Sequence, residues 1–156
     1  MEDVKRILVV SRSTKYCRKA VHYGVSLSRQ YGAELYVMHT MYDPFIFGGW
    51  NLPAPNLENE YKKTLKESQQ ELDAIIHNET KKGGITIKQL VKEGKPTEEV
   101  LKTVKEEKID LIIMLAHEEG RLEHFLFGRS NEEIIRKIPC SILLVKKEPD
   151  PVRYDT

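Results

Sequence analysis

The chain has 156 residues, of which 31% are charged and 40% hydrophobic, which fits one domain with a single core and excludes disorder. With 25 Lys+Arg against 24 Asp+Glu its formal net charge is +1, so neither a duplex-DNA coat protein nor an acidic tail is expected. The longest apolar run, Leu111 to Ala116, is far below the ~20 residues that cross a bilayer, and Ile7 to Val10 is too short for a secretory signal.

Lys5 to Val10 is a near-continuous apolar run, the pattern of a strand buried on both faces of a parallel sheet. Ser13 and Thr14 offer N-caps for a helix with apolar positions at Cys17, Ala20, Val21, Gly24 and Leu27, which Gly32 ends. Leu35 to Met41 reads as the second strand. Asp43 to Asn56 holds Pro44, Gly48, Gly49, Pro53 and Pro55, which predicts a long irregular loop. A charged helix is predicted from Leu57 to Lys81, with Leu57, Tyr61, Leu65, Leu72, Ile75 and Ile76 along one stripe. Its charges read as the solvated face.

Gly83-Gly84 closes that helix, and Ile85 to Val91 alternates in part, predicting a third strand. The run Gly94-Lys95-Pro96-Thr97-Glu98-Glu99 starts a helix with Val100, Leu101 and Val104 on its apolar face. Ile109 to Leu115 is the fourth predicted strand, Ala116 to Phe127 a polar loop, Ser130 to Lys137 a helix and Ser141 to Val145 the fifth strand. Residues 1–146 form the predicted domain and 147–156 a loose tail with two prolines. Alternating strands and helices predict an α/β, doubly wound parallel sheet with helices on both faces. Ligands of such sheets bind beyond the carboxyl ends of the strands, at the topological switch point.

These residues resemble a known family. Ile7-Leu8-Val9, Lys19-Ala20-Val21, and Tyr31 to Val37 with His39 are similar to the opening of universal stress proteins. Glu93 to Val100 and Ile109 to Met114 resemble the second half, and Gly128, Glu132, Ile135, Arg136, Ile138-Pro139-Cys140 and Ile142 to Val145 the close. The resemblance implies a five-stranded, Rossmann-like sheet of order 3-2-1-4-5 and homodimers through the last strand, here Ile142, Leu143, Leu144 and Val145. With no apolar run long enough for a membrane span or a signal, the chain is expected to be cytoplasmic, and the leading expectation is a stress-response protein rather than an enzyme.

Many members of that family bind ATP through Gly-x2-Gly-x9-Gly followed by Ser or Thr. Glycines let backbone N–H groups approach phosphates closely, and a helix N-terminus adds a favourable dipole. Anchored on Gly128, the earlier glycines fall on Leu115 and Glu118, and the hydroxyl position holds Arg129. Glu118 places a carboxylate where phosphate would sit, Leu115 adds bulk, and Ser130 brings a hydroxyl one residue late, turned by ~100°. The aspartate that meets the nucleoside at the end of the first strand corresponds to Arg12. The expectation is therefore a degenerate nucleotide site at Val10, Arg12, Leu115, His117, Glu118, Gly128, Arg129 and Ser130, with no ordinary ATP cofactor.

Two readings stay open at that site. Arg12, His117, Arg121, His124 and Arg129 either rebuild an anion site with side chains or pair with Glu118, Glu119 and Glu123 on the rim. The aromatic Phe45, Phe47 and Trp50, with Ile46, either form a docking lid or fold back to plug the adenine space. His117 has no Ser/His/Asp or Cys/His constellation around it, so no catalytic residue is assigned. Cys17 and Cys140 are far apart, so neither a disulfide framework nor a metal site is expected, and both read as small hydrophobes. His22, His39 and His77 lack ligand spacing and read as structural or exposed. The functional expectation is a non-catalytic protein acting by dimerisation and by protein-partner or small-anion binding, without nucleic acid or membrane. The alternative is an ATP- or AMP-binding sensor, or weak ATPase, with an altered phosphate loop.

Overall fold

Runs such as Ile7 to Val10 have no polar face to offer water, so they are satisfied only with helices on both sides. A computed structural model of the protein describes residues 3–11, 18–41, 55–116 and 130–146. In chain order the elements are β1 (Arg6–Ser11), α1 (Arg18–Tyr31), β2 (Glu34–Met41), α2 (Pro55–Lys81) and β3 (Ile87–Glu93). They continue with α3 (Pro96–Glu106), β4 (Leu111–Leu115), α4 (Ser130–Lys137) and β5 (Ser141–Val145). The strands form one all-parallel sheet of order β3-β2-β1-β4-β5. Both the fold class and the strand order agree with expectation.

Strand alternation sends each strand's side chains to two cores. Ile7, Val9, Leu35, Val37 and Ile113 pack under α1 and α2, against Ala20, Val21, Leu72, Ile75 and Ile76. Leu8, Val10, Tyr36, Met38, Ile112 and Met114 pack under α3 and α4, against Val100, Val104 and Ile134. Each fully buried aliphatic side chain contributes roughly 1.5–3 kcal/mol. α1 reaches the sheet closely because Gly24 faces Val9 and Leu35 without a side chain of its own. It ends in a Schellman turn, with Gly32 at φ +64° and the Ala33 N–H donating to the Ser28 carbonyl at 3.0 Å.

Five elements differ in extent from the sequence reading. β1 is Arg6–Ser11 instead of Lys5 to Val10 and β2 starts at Glu34 instead of Leu35, because the two pair from Arg6↔Glu34 to Ser11↔His39. The helix expected from Leu57 starts at Pro55, because proline's fixed φ and missing N–H suit the first helical position. β3 runs Ile87–Glu93 instead of Ile85–Val91, since its extent is set by pairing with β2, from Leu35↔Ile87 to Met41↔Glu93. β4 begins at Leu111, because the Ile109 N–H is taken by the Val104 carbonyl at the end of α3. Leu101, expected on the apolar face of α3, is half-buried, while Thr97 and Thr103 are buried there. The proposed N-caps Ser13 and Thr14, Cys17 and the 147–156 tail lie outside the described residues.

Candidate functional site

The candidate site lies where pairing within the sheet stops. β1 pairs with β2 as far as Ser11↔His39, and β4 with β5 as far as Leu115↔Val145. Between β1 and β4 the ladder runs only from Ile7↔Leu111 to Val9↔Ile113. Beyond Val9 the ladder between these two strands ends, while each goes on pairing with its outer neighbour. This is the switch point: the connection from β1 carries the chain to β2 on one side, that from β4 to β5 on the other.

Two of the expected site residues, Val10 and Leu115, lie past the end of the β1–β4 ladder, on opposite faces of the sheet. Val10 is buried in the α3/α4 core. Leu115, 6% exposed, is buried in the α1/α2 core. They do not converge on one ligand volume. The residue that shares Leu115's side of the sheet is Ser11, buried at the end of β1 and in register with His39. Sequence reading passed over Ser11 because it follows the apolar run; its alternation with Ile7 and Val9 was the available signal.

Ser130 opens α4, whose first turn carries Glu132 and Glu133 and whose last turn carries Arg136 and Lys137. Those charges suit the helix dipole. Glu133 also pairs with Lys137 at 2.6 Å, which holds its carboxyl below the usual range. An anion approaching this N-terminus would meet carboxylates already there. Arg12, His117, Glu118, Gly128 and Arg129 lie outside the described residues, as do Arg121, His124 and the aromatic segment with Phe45, Ile46, Phe47 and Trp50.

The remaining chemistry-bearing groups are few. Cys140 is half-buried against the α3/α4 core, and burial pushes its thiol up, away from thiolate reactivity. Among the described residues no cluster of His, Cys, Asp and Glu could hold a metal ion. Nor is any described helix long and apolar enough to cross a membrane.

A five-stranded parallel sheet of this order fits many α/β families, so comparison with known proteins decides between them. The model of the universal stress protein family matches residues 3–146. The chain belongs to the universal stress protein family. A universal stress protein of Methanocaldococcus jannaschii is 26% identical over 144 residues, spanning 92% of this chain and 82% of that one. Universal stress protein UspA from Lactobacillus plantarum shares the fold with a TM-score of 0.70 at 16% identity, covering 93% of this chain and 99% of its own. An Arabidopsis thaliana universal stress family protein with AMP bound has a TM-score of 0.61 at 14% identity, covering 97% of each chain.

Proposed function

We propose that this universal stress protein is a non-catalytic, cytoplasmic stress-response protein that acts as a homodimer through protein-partner or small-anion contacts, and is not an ordinary ATP binder. Leu115 carries the reading. Its side chain lies buried at the end of β4, where a glycine would leave the backbone bare for a ligand. The carboxylates in the first turn of α4 work in the same direction.

The edges of the sheet support the dimer. β3 carries Lys88, Lys92 and Glu93, charges that keep an edge strand from pairing with another chain. β5 reads Ser-Ile-Leu-Leu-Val with no charge, and Leu144 is 43% exposed. An uncharged, partly exposed edge is satisfied by a second copy paired across a two-fold axis.

A second reading, a nucleotide sensor, is favoured by the end of the β1–β4 ladder at Val9↔Ile113, short of the strand ends at the switch point, and by the AMP-bound relative. Denaturing the purified protein and assaying the released small molecules separates the two. Calorimetry with ATP, AMP and inorganic phosphate then measures what the emptied protein takes up. No nucleotide released and no nucleotide uptake supports the proposal, while co-purified AMP or ATP overturns it in favour of the sensor.

A further inference from the structure

β2 buries two titratable side chains, Tyr36 on the α3/α4 side of the sheet and His39 on the other. His39 is the one with an unpartnered polar atom. It is 5% exposed, and its Nδ1 has no hydrogen-bond partner. Alternation places it on the α1/α2 side of the sheet, in register with Ser11 of β1 and Val91 of β3. A small recess reaches the ring, lined by Gln69, Leu72 and Asp73 of α2 and by Val37, Gln89 and Val91 of β2 and β3. α2 therefore forms the roof over the imidazole and β3 its open side.

Little around the ring can stabilise a positive charge. Ser11, Gln69, Gln89 and Val91 are uncharged, and the buried face of α1 is made of Ala20, Val21, Gly24, Val25 and Ser28. Among the described residues, the one charge acting on the ring is the carboxylate of Asp73, an exposed residue of α2. Burial outweighs that carboxylate and holds the imidazole below its ordinary pKa of 6.5. A protonated ring needs water or direct contact with Asp73, and the recess is where both reach it. The recess is too small to hydrate an ion fully, so protonation favours states in which α2 stands further from the ring.

We propose that His39 and the recess above it form a proton-sensitive joint, in which protonation of the ring lifts α2 from the β2–β3 side of the sheet. With α2 raised, the ring meets water and titrates near 6.5; with α2 seated, it titrates lower. Between those two values the raised state binds one more proton than the seated state. The fraction raised therefore grows as pH falls through this window, by up to about tenfold per pH unit. Because Ser11 and His39 are neighbours at the carboxyl end of the sheet, the joint couples acidity to the β2 side of the switch point.

Two measurements on the full chain between about pH 8 and 5 test this. NMR of the imidazole reports the pKa of His39, and hydrogen exchange of the Leu72, Ile75 and Ile76 amides, corrected for intrinsic rates, reports the seating of α2. The expected result is a ring that titrates below 6.5, with protection in α2 falling by up to about tenfold per unit while Leu8 and Ile112 amides stay protected. His39→Gln should abolish this pH dependence and separate His39 from the other histidines. Asp73→Asn, a surface change that spares the core, should lower the ring's pKa further. A ring titrating at or above 6.5, or an undiminished pH slope in His39→Gln, overturns the joint.

Discussion

Arg6 and Asp110 hold each other twice. The Arg6 N–H donates to Oδ2 of Asp110 at 2.8 Å, and the Asp110 N–H donates to the Arg6 carbonyl at 3.0 Å. The same carboxylate oxygen accepts the Lys5 N–H at 2.9 Å. One side chain thus pins β1 to β4 at their amino ends, next to the ladder that runs from Ile7↔Leu111 to Val9↔Ile113. Asp110→Ala removes the acceptor of both N–H groups and should cost about 1–2 kcal/mol, read as a lower urea midpoint. Asp110→Asn keeps one oxygen and should lose less.

Gly24 is under steric control. A Cβ there would stand 2.5 Å from Cγ2 of Val9 and 3.1 Å from Cδ1 of Leu35. Alanine in a helix interior ordinarily gains up to about 1 kcal/mol over glycine. Here the stiff, buried valine cannot give way cheaply, so Gly24→Ala should be net destabilising by about 1–2 kcal/mol. A thermal melt showing Gly24→Ala as stable as the parent would contradict this packing.

Glu34 accepts hydrogen bonds from Lys88 Nζ at 2.7 Å and from the Tyr36 hydroxyl at 2.9 Å. These partners, Lys88 first, hold its carboxyl below the ordinary value of 4.5. The native state therefore favours the ionised form, and its contribution is present above pH 4.5 and lost as pH falls through the lowered value. Lys88→Met should move the titration of Glu34 back toward 4.5, read by carboxyl NMR shifts. Tyr36→Phe should move it less.

Leu144→Lys would import onto β5 the protection that β3 already carries. Sedimentation equilibrium should then change from twice 18.1 kDa to 18.1 kDa, with an unchanged circular-dichroism spectrum. A parent protein that sediments as a monomer rules out the dimer outright.

Leu115→Gly restores one glycine of the nucleotide pattern and empties part of the α1/α2 core. The fold should lose at least about 2–5 kcal/mol, the range for removing a buried leucine side chain. Calorimetry should show no ATP uptake, because Glu118 and Arg129 still occupy the other pattern positions. Tight ATP binding by this single variant would show that Leu115 alone closes the site.

Of the eight residues expected at the site, the structure describes three: Val10, Leu115 and Ser130. Leu115 could be matched to a glycine position by counting back from Gly128, since spacing survives in sequence. That Val10 and Leu115 face opposite sides of the sheet was not visible. It depends on which residue of β1 lies beside which residue of β4, a register fixed by Ile7↔Leu111. His39 sat in an apolar run with Leu35 and Val37, and its period-two alternation pointed inward. Its missing partner was a matter of what α2 places over it: Leu72, Gln69 and an outward Asp73.

By itself the sequence determined the order of strands and helices, because continuous apolar runs and stripes at helical spacing are local facts of the chain. Its residue pattern also determined the family, and with it the order 3-2-1-4-5. Where strands begin and end was decided in three dimensions: Ser11 and Glu93 are strand residues because β2 offers each a pairing partner. Tertiary structure likewise decided that a near-neutral chain, 25 basic against 24 acidic residues, keeps charge on β3 and leaves β5 bare. Net charge sums over the molecule, whereas pairing, burial and proton affinity depend on the few groups each residue meets.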